Sequence, residues 1–316
     1  MRKFFLIGFF FISVFSFSQS TSDSIKPIPD SLRIWKTGGI FNLAISQASL
    51  TNWAQGGENS LSATSMLHLF ANYKKGNSSW DNTFDAAYGF LQSGSASLRK
   101  SDDKIEFTSK YGYKTSKNWN IAELVNFKSQ FTQGYNYPND SSVISNFLAP
   151  AYVLISTGMD YKPNDDFSFY MSPVTGRITL VNDQTLANAG AFGVEKATYD
   201  TSGKQLTAGK KVRYEFGALV SVKFKKEIAK NINIYTKADF FSDYFKNPQN
   251  IVVNWDVLIS FKVNKWIAAS INTTLIYDDN IPVPIYHNVN GVSTQTGTGP
   301  RTQFKEILGI GFSHKF

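Results

Sequence analysis

The chain has 316 residues, of which 15% are aromatic, a formal net charge of +8 and no cysteine. The lack of cysteine excludes a disulfide framework and a lipid anchor attached through a cysteine. Lysine and arginine do not form a stripe or a run, so the basic balance does not indicate nucleic-acid binding.

The first residues have the layout of a secretory signal peptide. Two basic residues precede an apolar run over residues 4–17, and small residues then indicate cleavage after Ser18. The alternative is a membrane-anchor helix, but the run is shorter than the roughly 20 residues that span a bilayer. We therefore expect three segments: a cleaved signal peptide at 1–18, a periplasmic linker at 19–38 and the folded domain at 39–316.

From residue 39 onward the dominant period of the sequence is two, which is the period of a β-strand. In residues 212–225, for example, Tyr214 and Phe216 lie on one face, and Arg213 and Glu215 lie on the other. This alternation predicts twelve strands, at about 40–50, 61–75, 80–91, 105–114, 119–131, 149–161, 167–173, 212–225, 232–242, 253–263, 267–278 and 303–316.

One of these strands departs from the alternation. In residues 119–131, Glu123 falls on the same face as Trp119, Ile121 and Val125. Either a β-bulge restores the alternation, or the register assigned to this strand is wrong.

The connections between the strands alternate between short and long. The short ones are at 75–77, 115–118, 162–165, 226–231 and 264–265. The long ones are rich in Gly, Asn, Asp, Ser and Thr, and are at 51–60, 92–104, 132–148, 174–211, 243–250 and 279–302. Short turns on one side and long loops on the other are typical of outer-membrane barrels, with the turns in the periplasm and the loops outside the cell.

The alternative architecture is a soluble β-sandwich, which also shows a period of two. The strands, however, are about 10–14 residues long, whereas sandwich strands commonly have about 5–6. The opposite face mixes both charge signs, and aromatic residues mark the strand ends, where an interfacial girdle would lie. We therefore predict an all-β fold: a transmembrane antiparallel up-and-down β-barrel of about 12 strands, of the outer-membrane type. The girdle candidates are Tyr73, Trp80, Tyr113, Trp119, Trp266 and Tyr277.

The chain ends on a predicted strand. Leu308, Ile310 and Phe312 alternate with small or charged residues, and the last residue is Phe316. We expect the apolar face of this strand to contact lipid and its edge to pair with the first strand. The reason is that each unpaired backbone group in hydrocarbon costs several kcal/mol.

Several motifs stand out along the mature chain. They are Asn52-Trp53, Gly56-Gly57-Glu58-Asn59, Ala149-Pro150, Asp160-Tyr161-Lys162-Pro163-Asn164, Ser172-Pro173 and the segment 183–193. Together they resemble a family of Bacteroidota outer-membrane β-barrel proteins known only as a domain of unknown function (DUF3078-like). The resemblance implies a barrel in the outer membrane of a Gram-negative cell and brings no catalytic residues. The aromatic C-terminus is also similar to the signal by which outer-membrane assembly machinery recognises its clients.

Charged residues of both signs recur on the face opposite the aromatic residues. Two interpretations remain open: a charged interior that selects solutes, or a salt-bridge network that fills a narrow barrel. Twelve strands lie between filled barrels of about 8 strands and open porins of about 16–18. The lumen candidates are Asp81, Asp85, Glu106, Lys110, Arg213, Glu215, Lys237, Asp239, Asp256 and Lys262.

Two of the long connections contain loop candidates. Trp53, with Gly56 and Gly57, either forms a tight turn in the barrel mouth or offers a stacking platform to a sugar. The longest connection contains Asp183 and Gly190 in a small, apolar stretch. Such a long loop either folds inward as a constriction or forms a solvated cap.

Catalysis and metal binding have little support in the sequence. None of the three histidines, His68, His287 and His314, lies in a serine-hydrolase motif, and the pattern G-x-S-x-G is absent. Histidine and cysteine are too few for a typical zinc site. We therefore expect no enzyme activity, no cofactor and no metal site.

Three functions remain open at this stage. The leading hypothesis is a porin-like channel for small polar solutes. The alternative is a structural or accessory barrel that partners an envelope complex, and a third hypothesis is a loop-based binder of a glycan or nutrient. The partners we expect are outer-membrane lipid, the assembly machinery during insertion and possible envelope proteins, but not nucleic acid.

Overall fold

The alternating segments of the sequence form the strands of the protein. A computed structural model describes residues 33–50, 58–137, 140–289 and 292–316. Within these residues the strands are β1 (Trp35–Ala48), β2 (Ser60–Lys75), β3 (Ser78–Ser93), β4 (Arg99–Lys114), β5 (Trp119–Ser129), β6 (Gly134–Tyr135), β7 (Val143–Ser145), β8 (Ala151–Tyr161), β9 (Phe167–Leu180), β10 (Thr198–Tyr199), β11 (Gln205–Thr207), β12 (Val212–Ala229), β13 (Ile232–Asp243), β14 (Val252–Lys262), β15 (Ile267–Tyr277), β16 (Pro282–Val289), β17 (Val292–Pro300) and β18 (Gln303–Lys315). A short helix, α1 (Gln184–Asn188), and a 3₁₀ turn (Ala191–Gly193) lie between β9 and β10.

Twelve of these strands close into one antiparallel barrel, which confirms the predicted fold class. Around the wall the order is β1-β18-β15-β14-β13-β12-β9-β8-β5-β4-β3-β2. The other six strands form three two-stranded hairpins within the long connections. In the described part of the chain, no helix is long and apolar enough to cross a membrane.

The ends of several predicted segments shift. The strand β1 begins at Trp35, four residues before the expected start of the domain, because Trp35 pairs with Tyr73 of β2. The strand β4 begins at Arg99, so the connection expected at 92–104 is shorter. The signal peptide at 1–18 and most of the linker lie outside the described residues.

A bulge interrupts β9 at Pro173, where a missing backbone N–H is tolerated. Before it, Ser172 faces the lumen; after it, Thr175 and Arg177 do, and all three are buried. The bulge reverses the alternation. Pairing with β8 and β12 resumes after it, and the strand continues to Leu180 instead of ending at 173 as predicted. The longest connection therefore covers only residues 181–211.

No bulge is present at Glu123, contrary to one of the explanations considered above. Glu123 pairs with Tyr111 of β4 and with Thr157 of β8, and the register is continuous around both pairs. Glu123 is exposed on the outer wall, whereas its neighbours Ala122 and Leu124 are buried inside the barrel. The alternation of β5 is regular, and an acidic residue occupies an outward position.

The first and last strands close the barrel, as predicted. Residues Ile40–Ala44 of β1 pair with Lys315–Gly311 of β18. Beyond these pairs, the backbones of Gly39 and Phe316 exchange two hydrogen bonds of 2.9 and 3.1 Å. A side chain at Gly39 would collide with the ring of Phe316, so this glycine makes room for the terminal aromatic residue.

Candidate functional site

Side chains from distant strands meet inside the barrel. Lys237 of β13 donates to Glu106 of β4 over 3.1 Å, although four strands separate β13 from β4 around the wall. Such a contact can only pass through the lumen. The charged faces of the strands therefore point inward, and their residues reach across the interior.

Glu106 is the centre of this contact. Lys104 lies 2.9 Å from one carboxylate oxygen, while Lys237 and Lys128 lie 3.1 and 3.5 Å from the other. Asn126 donates a further hydrogen bond of 2.9 Å. Two more carboxylates complete the set, Asp256 at 3.5 Å from Lys104 and Asp239 at 3.2 Å from Lys237. We call these six charged residues the Glu106 network: Lys104, Glu106, Lys128, Lys237, Asp239 and Asp256.

The Glu106 network divides the lumen into two unequal parts. On one side, enclosed by β8, β9 and β12, an apolar cluster fills the interior. Its members are Ala122, Leu124, Tyr170, Leu219, Phe241 and Val252. This side of the barrel is packed with side chains.

The other side is lined by β15, β18, β1 and β2, and many of its inward residues are small, although Met66, Phe70 and Lys305 also point inward. None of them is buried, in contrast to the opposite wall, where most of the inward residues of β9 and β12 are. We call this wall the small-residue sector: Asn42, Ala44, Ser62, Thr64, Ser270, Asn272, Gly309 and Gly311. These small side chains therefore take up little of the lumen along this sector. Longer side chains cross beside them: Met66 contacts Asn272 over 3.9 Å, and Lys305 reaches Asp102 of β4 over 2.7 Å.

A second charged group lies at the end of the barrel that carries the long loops. Arg177 donates to Asp278 over 2.7 Å and lies 3.5 Å from Glu215, while Arg213 lies 3.1 Å from Glu215. We call these four residues the mouth cluster. Burial alone would raise the pKa of the Asp278 carboxyl, but the Arg177 guanidinium lowers it more, so this pKa lies below its usual value. The mouth cluster contains two charges of each sign and is compensated internally.

The longest connection folds over the mouth cluster. Leu186 and Ala187 of α1 and Val194 are buried against Val181 and Ala149. The backbone of Gly193 approaches Arg213 and Asn280 so closely that a Cβ there would collide with both. These contacts favour the inward constriction over the solvated cap.

Both described loop candidates have local structural roles. Asp183 caps α1 by accepting hydrogen bonds of 2.9 and 3.1 Å from the backbones of Thr185 and Leu186. Gly190 has a φ of 73°, which favours glycine, and leads into the 3₁₀ turn. Trp53, Gly56 and Gly57, the remaining loop candidates, lie outside the described residues.

Three close pairs of polar side chains lie nearer the opposite end, which carries the short turns. Lys110 lies 2.8 Å from Asp160, and His68 lies 2.6 Å from Asp85. Lys162, in the turn after β8, reaches Asp81 over 2.9 Å. Burial alone would lower the pKa of Lys162, but Asp81 raises it above its usual value.

All ten lumen candidates thus occupy inward positions. Eight of them have a charged partner, and Asp85 is paired with His68. Lys262 is exposed at the short-turn end of β14. The sequence interpretation missed Lys104, Lys128, Asp160, Arg177 and Asp278. Continuing the alternation beyond the predicted strand ends would have found Lys104, whereas the bulge in β9 concealed Arg177.

The fold and its interior define the class: a closed twelve-stranded antiparallel β-barrel with a charged, partly filled lumen. Residues 45–135 match a protein family described as "Protein of unknown function (DUF3078)". No curated protein matches the chain.

Several solved structures are similar over most of the chain. An outer-membrane channel from Pseudomonas putida F1 is 10% identical with a TM-score of 0.37, covering 89% of this chain and 94% of that one. The NanC porin is 9% identical with a TM-score of 0.34, covering 87% and 98%. The toluene transporter TodX of P. putida is 9% identical with a TM-score of 0.31, covering 90% and 80%.

Proposed function

We propose that this protein is an outer-membrane β-barrel that acts as a porin-like conduit for small polar solutes. The observation that carries the proposal is the small-residue sector, whose side chains stay accessible beside a filled half-lumen. Solutes would pass along β15, β18, β1 and β2. The N-terminal signal peptide would direct export, and assembly machinery would insert the barrel.

The outer wall supports placement in a membrane. Large apolar side chains are strongly exposed there, for example Tyr214 at 76% and Leu308 at 69%. The rings of Trp35, Tyr73 and Trp80 form a contact group at the short-turn end, as an interfacial girdle would. Closure of the strands pairs their backbone groups around the wall, which a hydrocarbon environment requires.

The charged interior suits a polar solute. The Glu106 network and the mouth cluster are compensated, so they stabilise the packed half of the lumen without filling the small-residue sector. Small neutral residues such as Ser62, Ser270 and Asn272 offer hydrogen bonds and leave room. The inward-folded loop over Arg213 would restrict the entrance and limit the size of the solute.

One observation favours the accessory-barrel alternative. A groove of about 380 Å³ on the outer wall is lined by Trp80, Ser109, Tyr111, Glu123 and Val125. The indole N–H of Trp80 donates to Ser109 over 2.8 Å, and the Glu123 carboxylate faces outward. This carboxylate lies beside the interfacial ring of Trp80 and offers a charged contact on the outer wall, so this groove is where a second envelope protein would bind.

Conductance of the refolded full chain in planar bilayers tests the conduit. Because the chain has no cysteine, Ser270→Cys places a single thiol in the small-residue sector. A bulky thiol reagent added after insertion should then reduce the current. Thr273→Cys, an outward position on the same strand, is the matched control and should be unaffected.

Two outcomes would overturn the conduit. One is the absence of current from a barrel shown to be inserted by its heat-dependent mobility in gels. The other is equal block of the Ser270→Cys and Thr273→Cys variants. A stable co-purifying protein lost on Glu123→Ala would instead support the accessory-barrel alternative.

A further inference from the structure

Inward lysines surround the short-turn end of the barrel. Every barrel strand that runs toward this end carries one near its end: β2, β4, β12, β14 and β18 within the strand, and β8 at Lys162 directly after it. The first strand adds Lys36 at its start. We call the exposed members of this set the lysine ring: Lys36, Lys74, Lys114, Lys225, Lys262 and Lys315.

The register shows that these lysines belong to the inward face. Lys315 pairs with Ile40 and Lys36 with Asn72, both inward positions. Lys225 pairs with Tyr235, whose ring lies near that of His68 across the lumen. The ammonium groups therefore surround the opening instead of facing lipid.

The positive charge of the ring is not compensated by ion pairs. Within the described chain, none of the ion pairs includes a ring lysine. Among the inward acids near this end, Asp81 is paired with Lys162 and Asp160 with Lys110. Glu227 of β12 is also inward and accepts from the backbone of Asn231, so one carboxylate lies among six ring lysines. The Glu106 network and the mouth cluster, in contrast, each balance their own charges. The net fixed charge of the lumen is thus concentrated at the short-turn end.

We propose that the lysine ring makes the conduit select anions, with small carboxylates and phosphates as the chemical class of solute. This inference rests on the proposed function. Rings of basic side chains select anions in pores, and a narrow opening with low-dielectric walls concentrates ions of opposite charge. Screening acts over about 10 Å at 0.1 M salt and about 3 Å at 1 M, so the preference should weaken at high salt.

Reversal potentials in a KCl gradient across planar bilayers test the inference with the full chain. The natural protein should show a chloride-to-potassium permeability ratio above one at about 0.1 M salt. The test variant combines Lys36→Glu, Lys262→Glu and Lys315→Glu. It reverses three charges on strands at or beside the small-residue sector. This triple variant should reverse the sign of the potential.

A matched triple variant separates the ring from net charge. This control combines Lys75→Glu, Lys226→Glu and Lys230→Glu. It reverses three positive charges at the same end, but outside the inward face. This control should keep the anion preference, and both triple variants should show the heat-dependent mobility of a folded barrel. Currents that are cation-selective in the natural protein, or equal responses of the two variants, would overturn the inference while leaving the conduit standing. Complete absence of current in an inserted barrel would overturn both.

Discussion

Replacing Asp278 by alanine tests how the long-loop end of the barrel is held together. Asp278 follows β15, and its side chain is only 1% exposed where it accepts the 2.7 Å hydrogen bond from Arg177. Its other carboxylate oxygen accepts from the backbone of Asn280 over 2.9 Å. The carboxylate therefore joins the wall at β9 to the loop that follows β15.

The magnitude follows from the burial of the partner. The Arg177 side chain is 9% exposed, and after the substitution its remaining carboxylate neighbour is Glu215 at 3.5 Å. Glu215 is shared with Arg213, so two cations would compete for one anion. Breaking a buried pair by removing one partner costs about 3–5 kcal/mol, because the other charge stays buried.

Urea titration of the folded barrel in detergent micelles, followed by tryptophan fluorescence, measures this change in the free energy of unfolding. The matched control is Glu195→Ala, which removes an ion pair with Lys210 of 2.6 Å whose side chains are 68% and 66% exposed. Exposed pairs contribute about 0–1 kcal/mol. Equal losses in the two variants, or a loss below about 1 kcal/mol for Asp278→Ala, would refute the assigned role of the mouth cluster.

Three further predictions follow from the same contacts. Because the arginine partner of Asp278 keeps its folded pKa below the usual 3.8, the stabilisation is complete above that value and is lost as pH falls through the folded pKa. Urea midpoints measured down to pH 3 should show this loss in the natural protein and not in Asp278→Asn. Glu106→Gln removes the charge shared by three lysines and should cost about 3–5 kcal/mol while raising the chloride-to-potassium permeability ratio; an unchanged ratio would contradict the network. Gly217→Ala should destabilise the barrel by about 1–3 kcal/mol, because a Cβ there meets the carbonyl oxygen of Ser242, whereas Gly297→Ala, in open space, should be neutral in the same titration.

The alternation of the sequence was sufficient to predict most of the barrel. A strand places successive side chains on opposite faces whatever its neighbours are. The pattern of residues 212–225 therefore predicts both a strand and which of its side chains share a face. The short and long connections then fixed which strands are neighbours. Even the pairing of the last strand with the first, seen between Ile40 and Lys315, followed from the cost of an open edge.

Where the alternation breaks, sequence reasoning failed. The bulge at Pro173 moved the inward face from Ser172 to Thr175, so the continuation of β9 resembled a loop and Arg177 was missed. At Glu123 the opposite error occurred, since a regular strand with one outward acid was interpreted as a possible bulge. A bulge changes only the local backbone. One residue that breaks the alternation therefore does not distinguish a bulged strand from a regular strand with a polar residue on its outward face.

By itself the sequence determined the strands, their order and which face of each is charged, because these depend on neighbouring residues and on the length of the connections. Only the tertiary structure decided which charges meet. Glu106 and Lys237 are 131 residues apart, and their contact depends on the stagger of all the strands between them. The same stagger fills one half of the lumen and leaves the small-residue sector accessible, because the depth of each inward side chain is set by the closed register of the barrel.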